Sequence, residues 1–363
     1  MNSRERFKTA MRGEKTDRFL FDFWMSNGFE NKLKKEIGLS KEQFLDKYDV
    51  DFRFIEGPKY IGPELKISAN IDEDIWGVMR RSVEVTLTGG TEIYKEVELS
   101  PLKSAVTVED IENYPHWPSA DWFDYSEIEE QCDEIIAKDK VVVFMGDRMN
   151  RIAQLKPATY IRGMEEILID MCINPEMAKA IFRKIREFYK EYAERIYKNA
   201  NGKLDIILTG DDFGAQNAPL LSPDMWCDFL GDGFAEYVAI AKKYGLIVMH
   251  HSCGSIKPII PLLVERGLDI LQSVQPEANN MDAETLQKEF GDVLSFQGGM
   301  SIQRTLPFGT PEEIEAEVEA RKRTFGKNNK YILCTSHNVQ ADVSIESAEI
   351  LLRAYKNEVS REW

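Results

Sequence analysis

A histidine and a cysteine two positions apart, His251 and Cys253, are the residues of this chain whose types and spacing best suit chemistry. They follow a short apolar run at 246–250, so we expect them just past a buried strand. An imidazole nitrogen and a thiolate from one turn can bind the same ion, and zinc accepts both ligand types. The spacing also fits a hydrogen-bonded histidine beside a buried thiol, which is the commoner arrangement when spacing alone is considered.

A metal site of this kind needs a further ligand from another part of the chain, because a catalytic zinc usually has three protein ligands and one open position. His337 and Cys334, both at the end of the last apolar run, are the candidates. His250 is also near a strand end, but we expect it to point toward the surrounding helices, because successive side chains of a strand point to opposite faces.

Eight short apolar runs, separated by helical patterns, are typical of buried parallel strands. They lie at 19–24, 51–55, 141–145, 205–209, 246–250, 269–272, 293–297 and 331–334. Strand–helix alternation repeated eight times predicts a (β/α)₈ TIM barrel, whose active site forms at the C-terminal ends of the strands. A doubly wound open sheet is the alternative, although no glycine-rich fingerprint favours it.

The irregular stretch at about 56–140 is predicted to be an insertion after the second strand of a single barrel domain covering 1–363. It contains a predicted hairpin, 78–87 and 93–99, turned at Gly89-Gly90. Helices are expected on both sides of Asn174-Pro175 and at 222–243, 311–325 and 344–355.

Composition limits the partners and the compartment. Asp plus Glu outnumber Lys plus Arg by 62 to 46, a net charge of −16, which disfavours nucleic acid and anionic membrane surfaces as partners. No apolar run approaches the roughly 20 residues that span a bilayer, and the N-terminus lacks the apolar core of a signal peptide. Five widely spaced cysteines, an odd number, are typical of a reducing cytoplasm.

Seven segments in the second half of the chain carry a resemblance to a known family. They include Gly210-Asp211-Asp212-Phe213-Gly214, His251-Ser252-Cys253-Gly254, Gln297-Gly298-Gly299 and Ser336-His337-Asn338-Val339-Gln340. Together they resemble the uroporphyrinogen decarboxylase-like superfamily, most strongly from about residue 205 onward. The resemblance implies a (β/α)₈ barrel, in agreement with the strand count.

Two branches of that superfamily have different sites. The decarboxylases carry Arg-Gln-Ala-Gly-Arg near the N-terminus, where this chain has Phe-Trp-Met-Ser-Asn-Gly at 23–28, so the arginines that would bind substrate carboxylates are missing. The cobamide-dependent methyltransferases, such as methylcobamide:coenzyme M methyltransferase, carry a zinc site of the form His-x-Cys plus a late Cys. His251 and Cys253 match the first two ligands. His337 stands where the late Cys is expected, with Cys334 as a substitute three residues earlier.

The methyltransferase resemblance implies an enzyme that uses zinc to move a methyl group between a corrinoid (cobalamin) and a thiol or a methylated small molecule. A corrinoid-binding protein is then an expected partner, and the decarboxylases suggest a homodimer by analogy. The alternatives are a decarboxylase-like lyase and a metal-free barrel that binds a small molecule.

Four further residues receive roles under this interpretation. Asp211 or Asp212 is expected to orient a ligand imidazole or the substrate, or to move a proton, unless the pair is an ordinary cap or turn. Gln297 and Asn27 are expected to contact substrate, although Gln297 before two glycines is equally suited to shaping a loop.

Overall fold

The structure, a computed structural model that describes residues 1–68, 70–146 and 151–357, contains one sheet of eight parallel strands. The strands, named β1 to β8 in chain order, are Leu20–Phe21, Phe52–Ile55, Val141–Phe144, Ile206–Gly210, Ile247–His251, Ile270–Val274, Ser295–Met300 and Ile332–Thr335. Each strand from β2 to β8 pairs with its neighbour in sequence, and β1 pairs with β8. This cyclic order confirms the predicted (β/α)₈ barrel and excludes a doubly wound sheet, whose strand order reverses at its centre.

The seam between β1 and β2 is held by Asp51, which is fully buried directly before β2. Its backbone N–H donates to the carbonyl oxygen of Phe21 at 3.2 Å, and the N–H of Phe21 donates to its carboxylate at 3.0 Å. Arg6 in the first helix donates to the same carboxylate at 2.8 Å. These bonds fix the first helix beneath the strand starts, where Phe7 packs into the barrel interior.

Helices surround the sheet, and the main hydrophobic core lies between the two layers. The α-helices span Ser3–Met11, Asn27–Ile37, Lys41–Lys47, Val108–Glu112, Ile128–Ala137, Leu155–Ile161, Met164–Ile173, Pro175–Asn199, Pro223–Trp226, Asp232–Lys243, Ile260–Glu265, Ala283–Phe290, Thr305–Phe308, Pro311–Phe325 and Ile345–Tyr355. The predicted break before Pro175 is confirmed. The helix after Thr310 begins with a capping box, in which Thr310 and Glu313 satisfy each other's backbone N–H groups. No helix in the described ranges has the length and apolar character needed to cross a bilayer.

The segment between β2 and β3 forms small antiparallel sheets, as expected for an insertion. Ile71–Glu73, Met79–Leu87 and Gly90–Leu99 make a three-stranded sheet, and Lys59–Tyr60 pairs with Phe123–Asp124. The hairpin turns one residue earlier than predicted, because Leu87 pairs with Gly90.

The tip of this hairpin lies against the loop after β8, so the insertion covers the C-terminal mouth of the barrel. A Cβ at Gly89 would lie 2.5 Å from the carbonyl oxygen of Ala341, so only glycine permits this approach. Glu92, which is buried, accepts hydrogen bonds from Ser26 Oγ at 2.5 Å and from the N–H of Ala341 at 2.9 Å. The hairpin therefore joins the loops after β1 and β8.

Candidate metal centre and cavity

Three side chains of different chemical type converge where β4 and β5 end. His251 is the last residue of β5, Cys253 follows it in the loop, and Asp212 follows β4. His251 Nε2 lies 3.4 Å from Cys253 Sγ and 3.4 Å from Asp212 Oδ1. Their ligand atoms all lie within 4.8 Å of one another, and this is the one such group among the described residues. A nitrogen, a thiol sulfur and a carboxylate oxygen are ligand atoms that zinc accepts, so these residues fit a zinc ion.

The ring of His251 is held in the orientation that a metal ligand needs. Its Nδ1 lies 2.5 Å from Oε1 of Gln272, a buried residue of β6. An amide oxygen only accepts hydrogen bonds, so the proton of a neutral His251 sits on Nδ1 and the lone pair of Nε2 faces Cys253 and Asp212. On its other side the ring stacks on Trp24, with centroids 6.1 Å apart and planes at 22°.

The charges of the cluster stabilise one another. Burial favours the neutral form of Asp212, but His251 and Lys156 hold the pKa of its carboxyl well below the usual range. Lys156 Nζ donates to Asp212 Oδ2 at 2.6 Å, and the N–H of Cys253 donates to Asp212 Oδ1 at 3.1 Å. Burial opposes protonation of His251, yet the neighbouring Cys253 and Asp212 raise its pKa to about 9. Asp212 is therefore a charged carboxylate in this cluster, and it stabilises positive charge on the Nε2 side of His251.

Asp211 and Asp212 are adjacent, but their carboxylates face different surroundings. Asp211 is buried and accepts hydrogen bonds from the N–H groups of Gln154, Leu155 and Lys156, at 2.5, 3.0 and 2.7 Å. Burial raises the pKa of Asp211 to about 6 against these bonds. Asp211 thus occupies the N-terminus of the helix Leu155–Ile161, as the cap interpretation of the sequence expects, and it positions Lys156 beside Asp212.

The two candidates for a further ligand lie at different places around the end of β8. His337 lines the cavity beside His251 and Asp212, although its ring nitrogens are not part of the group within 4.8 Å. Burial and the nearby His251 lower the pKa of His337. Cys334 is buried within β8, where burial holds the pKa of its thiol well above the usual value, and it is absent from the described cavity lining.

A cavity of about 360 Å³ opens beside the cluster, enclosed by the barrel mouth and the hairpin. Among the described residues, neither Gln297 nor Asn27 lines it. Gln297 is buried and donates from Nε2 to Asp22 Oδ2 at 2.9 Å, while Asn27 is exposed in the first turn of its helix. Asp147 and Arg148, which follow β3 in the sequence, lie outside the described residues.

Asp22 is a residue of this site that sequence reasoning missed. It lies directly after β1, lines the cavity, and accepts a hydrogen bond from Trp24 Nε1 at 2.8 Å, so it fixes the indole that stacks on His251. Burial raises the pKa of Asp22 to about 6. A charged residue inside the apolar run at 19–24 is the signal that identifies it in the sequence. His250, by contrast, packs between Phe213 and Phe234 on the outer face of β5, as predicted.

The fold and the cluster together define a (β/α)₈ barrel with a candidate metal centre at its strand ends. The chain belongs to the uroporphyrinogen decarboxylase (URO-D) family, whose sequence profile matches residues 152–358, more than half of the chain. A curated relative, the uroporphyrinogen decarboxylase of Chlorobaculum tepidum, is 25% identical over 191 residues, which are 52% of this chain and 51% of the relative. That alignment therefore spans about half the length of the relative.

A solved structure extends the likeness to almost the whole chain. A methyltransferase from Methanosarcina mazei superposes with a TM-score of 0.67 at 15% identity, covering 98% of this chain and 99% of the other. At this identity the likeness shows a common fold. The predicted superfamily and barrel architecture are confirmed.

Proposed function

We propose that this protein is a zinc-dependent methyltransferase that moves a methyl group between a corrinoid and a thiol or a methylated small molecule. The observation that carries the proposal is the convergence of His251 Nε2, Cys253 Sγ and Asp212 Oδ1 within 4.8 Å, beside the cavity. The methyltransferase from Methanosarcina mazei, which shares the fold along almost the whole chain, supports this choice within the family.

His251 and Cys253 would hold the metal. Asp212 is the third donor that the geometry favours, while His337, with Cys334 as its substitute, is the third donor that the sequence favours. A zinc ion with an open position supplies Lewis acidity, which deprotonates a thiol or polarises a methylated heteroatom.

The remaining residues of the site prepare this chemistry. Gln272 keeps the Nε2 lone pair of His251 available, and Lys156 anchors the second oxygen of Asp212. The ring of Trp24 covers one face of His251 and excludes water from it. The walls of the cavity leave room for a small substrate next to His251 and Asp212.

The size of the cavity bears on the partners. A volume of about 360 Å³ is at the lower end of the roughly 300–1,000 Å³ of small-molecule sites, so it suits the small methyl donor or acceptor. A corrinoid macrocycle is much larger, and we propose that it reaches the site from outside, free or on a separate corrinoid-binding protein. A cytoplasmic location, consistent with five free cysteines, and a homodimer belong to the same proposal.

Methyl transfer is tested directly with methylcobalamin and a panel of thiols, and in reverse with methyl ethers, amines and thioethers plus reduced cobalamin. The absorbance of the corrinoid reports gain or loss of the cobalt-bound methyl group. We expect activity that Cys253→Ala abolishes and Cys172→Ala, a change at an exposed cysteine outside the site, leaves intact. Activity unaffected by Cys253→Ala would contradict the proposal.

The third ligand is identified by zinc content in three variants, Asp212→Ala, His337→Ala and Cys334→Ala. The geometry predicts that the Asp212 change lowers zinc occupancy most. If Asp212→Ala keeps its full zinc content while His337→Ala or Cys334→Ala loses zinc, the third ligand is the one that the sequence favours and Asp212 is excluded.

Decarboxylation of a porphyrinogen is the second candidate, because the matched family profile is that of the decarboxylase. Arg80, Arg151 and Lys156 line the cavity and offer positive charge for carboxylates. Incubation with uroporphyrinogen separates the two candidates, since loss of carboxyl groups changes the porphyrin chromatogram whether or not a corrinoid is present.

A further inference from the structure

The cavity beside the cluster has aromatic walls. Eight Phe, Trp and Tyr residues contribute to its lining, among them Trp24, Phe54, Trp76, Tyr94, Tyr160 and Tyr189. Aromatic faces and edges pack favourably on a flat ring, whereas a branched aliphatic group makes poorer use of them. The aromatic character of the walls therefore favours a planar, unsaturated ligand.

A buried guanidinium borders the same cavity. Arg80 lies in the hairpin strand Met79–Leu87 with 1% of its surface exposed. Its Nε donates to Asp74 Oδ2 at 2.9 Å, and its Cζ lies 4.2 Å from the centroid of the Tyr160 ring. Its Nη2 has no hydrogen-bond partner among the described residues. A buried donor without a partner is unfavourable, so this nitrogen is suited to an acceptor brought by a ligand.

The charges around Arg80 indicate on which side an anion would bind. Arg80 separates the barrel cavity from a second cavity of about 530 Å³ within the insertion. Five carboxylates and three cations line the described part of the second cavity, so it disfavours an anion. Four cations and three carboxylates line the described part of the barrel cavity. The cations there are Lys41, Arg80, Arg151 and Lys156.

The helix Leu155–Ile161 connects the guanidinium with the metal cluster. Lys156 contacts Asp212 at one end, and Tyr160 contacts Arg80 at the other. Lys156 and Tyr160 are one helical turn apart on the same face of this helix, which corresponds to about 5–6 Å between their Cβ atoms. A small ligand can therefore place one end at Arg80 and the other beside the cluster.

We propose that the barrel cavity binds a small aromatic carboxylate, with the carboxylate on the guanidinium of Arg80 and the ring between the aromatic walls. Nε and Nη1 of Arg80 already donate to Asp74 and to the carbonyl oxygen of Lys95, so Nη2 is the donor for one carboxylate oxygen. A hydrogen bond between two charged groups is stronger than one between neutral groups. This names the substrate class of the proposed methyltransferase and rests on that proposal for the reaction, but binding is measurable without any methyl transfer.

The test is calorimetric titration of the purified protein with benzoate, benzamide and cyclohexanecarboxylate. Benzamide lacks the negative charge of benzoate, and cyclohexanecarboxylate lacks its aromatic ring. All three compounds are of similar size. We expect benzoate to bind about 10-fold or more tightly than benzamide, because one charge-assisted hydrogen bond is worth about that factor. We expect it to bind roughly 2- to 10-fold more tightly than cyclohexanecarboxylate, because the contacts between aromatic rings are lost. This comparison needs no variant.

Two matched variants then locate the carboxylate. Arg80→Lys keeps a cation for Asp74 but removes the Nη2 donor, so we expect about 10-fold weaker binding of benzoate and unchanged binding of benzamide. Arg81→Lys makes the same change at the exposed neighbour, which pairs with Glu98 at the surface, and benzoate binding is expected to stay unchanged. Circular dichroism verifies that both variants are folded.

Equal affinity for benzoate and benzamide, no binding of benzoate, or equal effects of the two lysine variants would overturn the inference. Tight benzoate binding without methyl transfer to or from any compound of the methyltransferase panel, methoxybenzoates included, would refute the proposed function and leave this inference standing. Methyl transfer from other compounds without benzoate binding would do the opposite.

Discussion

Replacing Gln272 by Leu removes the acceptor that orients His251 and changes nothing else within the cluster. The wild-type amide oxygen lies 2.5 Å from His251 Nδ1, and both side chains are buried. In the variant the Nδ1 proton loses its partner, and the imidazole is free to rotate or to place its proton on Nε2. Either change opposes metal binding through Nε2.

The expected loss of zinc affinity in Gln272→Leu follows from the same geometry. Removing the hydrogen-bond partner of a ligating histidine typically weakens metal binding 10- to 100-fold, which is about 1.4–2.8 kcal/mol. Since a single hydrogen bond of this kind is lost and no ligand is removed, we expect Gln272→Leu to retain zinc at high concentration and to lose it to a competing chelator.

Competition between the protein and a chromogenic zinc chelator measures this affinity. Gln272→Glu is the matched control, because it keeps an acceptor at the same distance and is expected to bind zinc at least as tightly as the wild type. Equal zinc affinity in the Leu variant and the wild type would refute the assigned role of Gln272 and the tautomer deduced for His251.

Two further predictions concern the parts that support the site. Asp22 has a pKa of about 6 when folded against an ordinary value of 3.8, so the folded state binds the proton more tightly and loses about 3 kcal/mol of stability as pH rises from about 4 to above 6. Urea unfolding at pH 4 and pH 7 is expected to show a loss about 3 kcal/mol larger in the wild type than in Asp22→Asn, which keeps the similar contribution of Asp211; an identical pH dependence of both proteins would contradict it. Gly89→Ala places a Cβ 2.5 Å from the carbonyl oxygen of Ala341, so we expect a displaced hairpin tip and about 1–3 kcal/mol lower stability. Faster hydrogen exchange in the hairpin would support this, and unchanged exchange would argue that the contact is not important.

Much of the barrel can be predicted from the sequence because its signals are local. The eight apolar runs correspond to eight strands, and Thr310 caps its helix as its spacing with Glu313 indicates. β1 is shorter than its apolar run, since the carboxylate of Asp22 accepts from the next N–H at 2.8 Å, a local bond that competes with strand pairing.

The complete site cannot be predicted in this way, because its geometry depends on long-range packing. Two adjacent aspartates look equivalent in the sequence, yet Asp211 faces a helix N-terminus and Asp212 faces His251. Arg80 reaches the cavity only because the hairpin folds back over the barrel mouth. No periodicity within the insertion indicates where that hairpin lies.

The zinc content of the purified protein is the measurement that tests the central proposal most directly. Elemental analysis is expected to find about one zinc per chain, and little in His251→Ala or Cys253→Ala, with Cys172→Ala as the control that retains it. A wild-type protein that neither contains zinc nor takes it up at micromolar concentration would contradict the account.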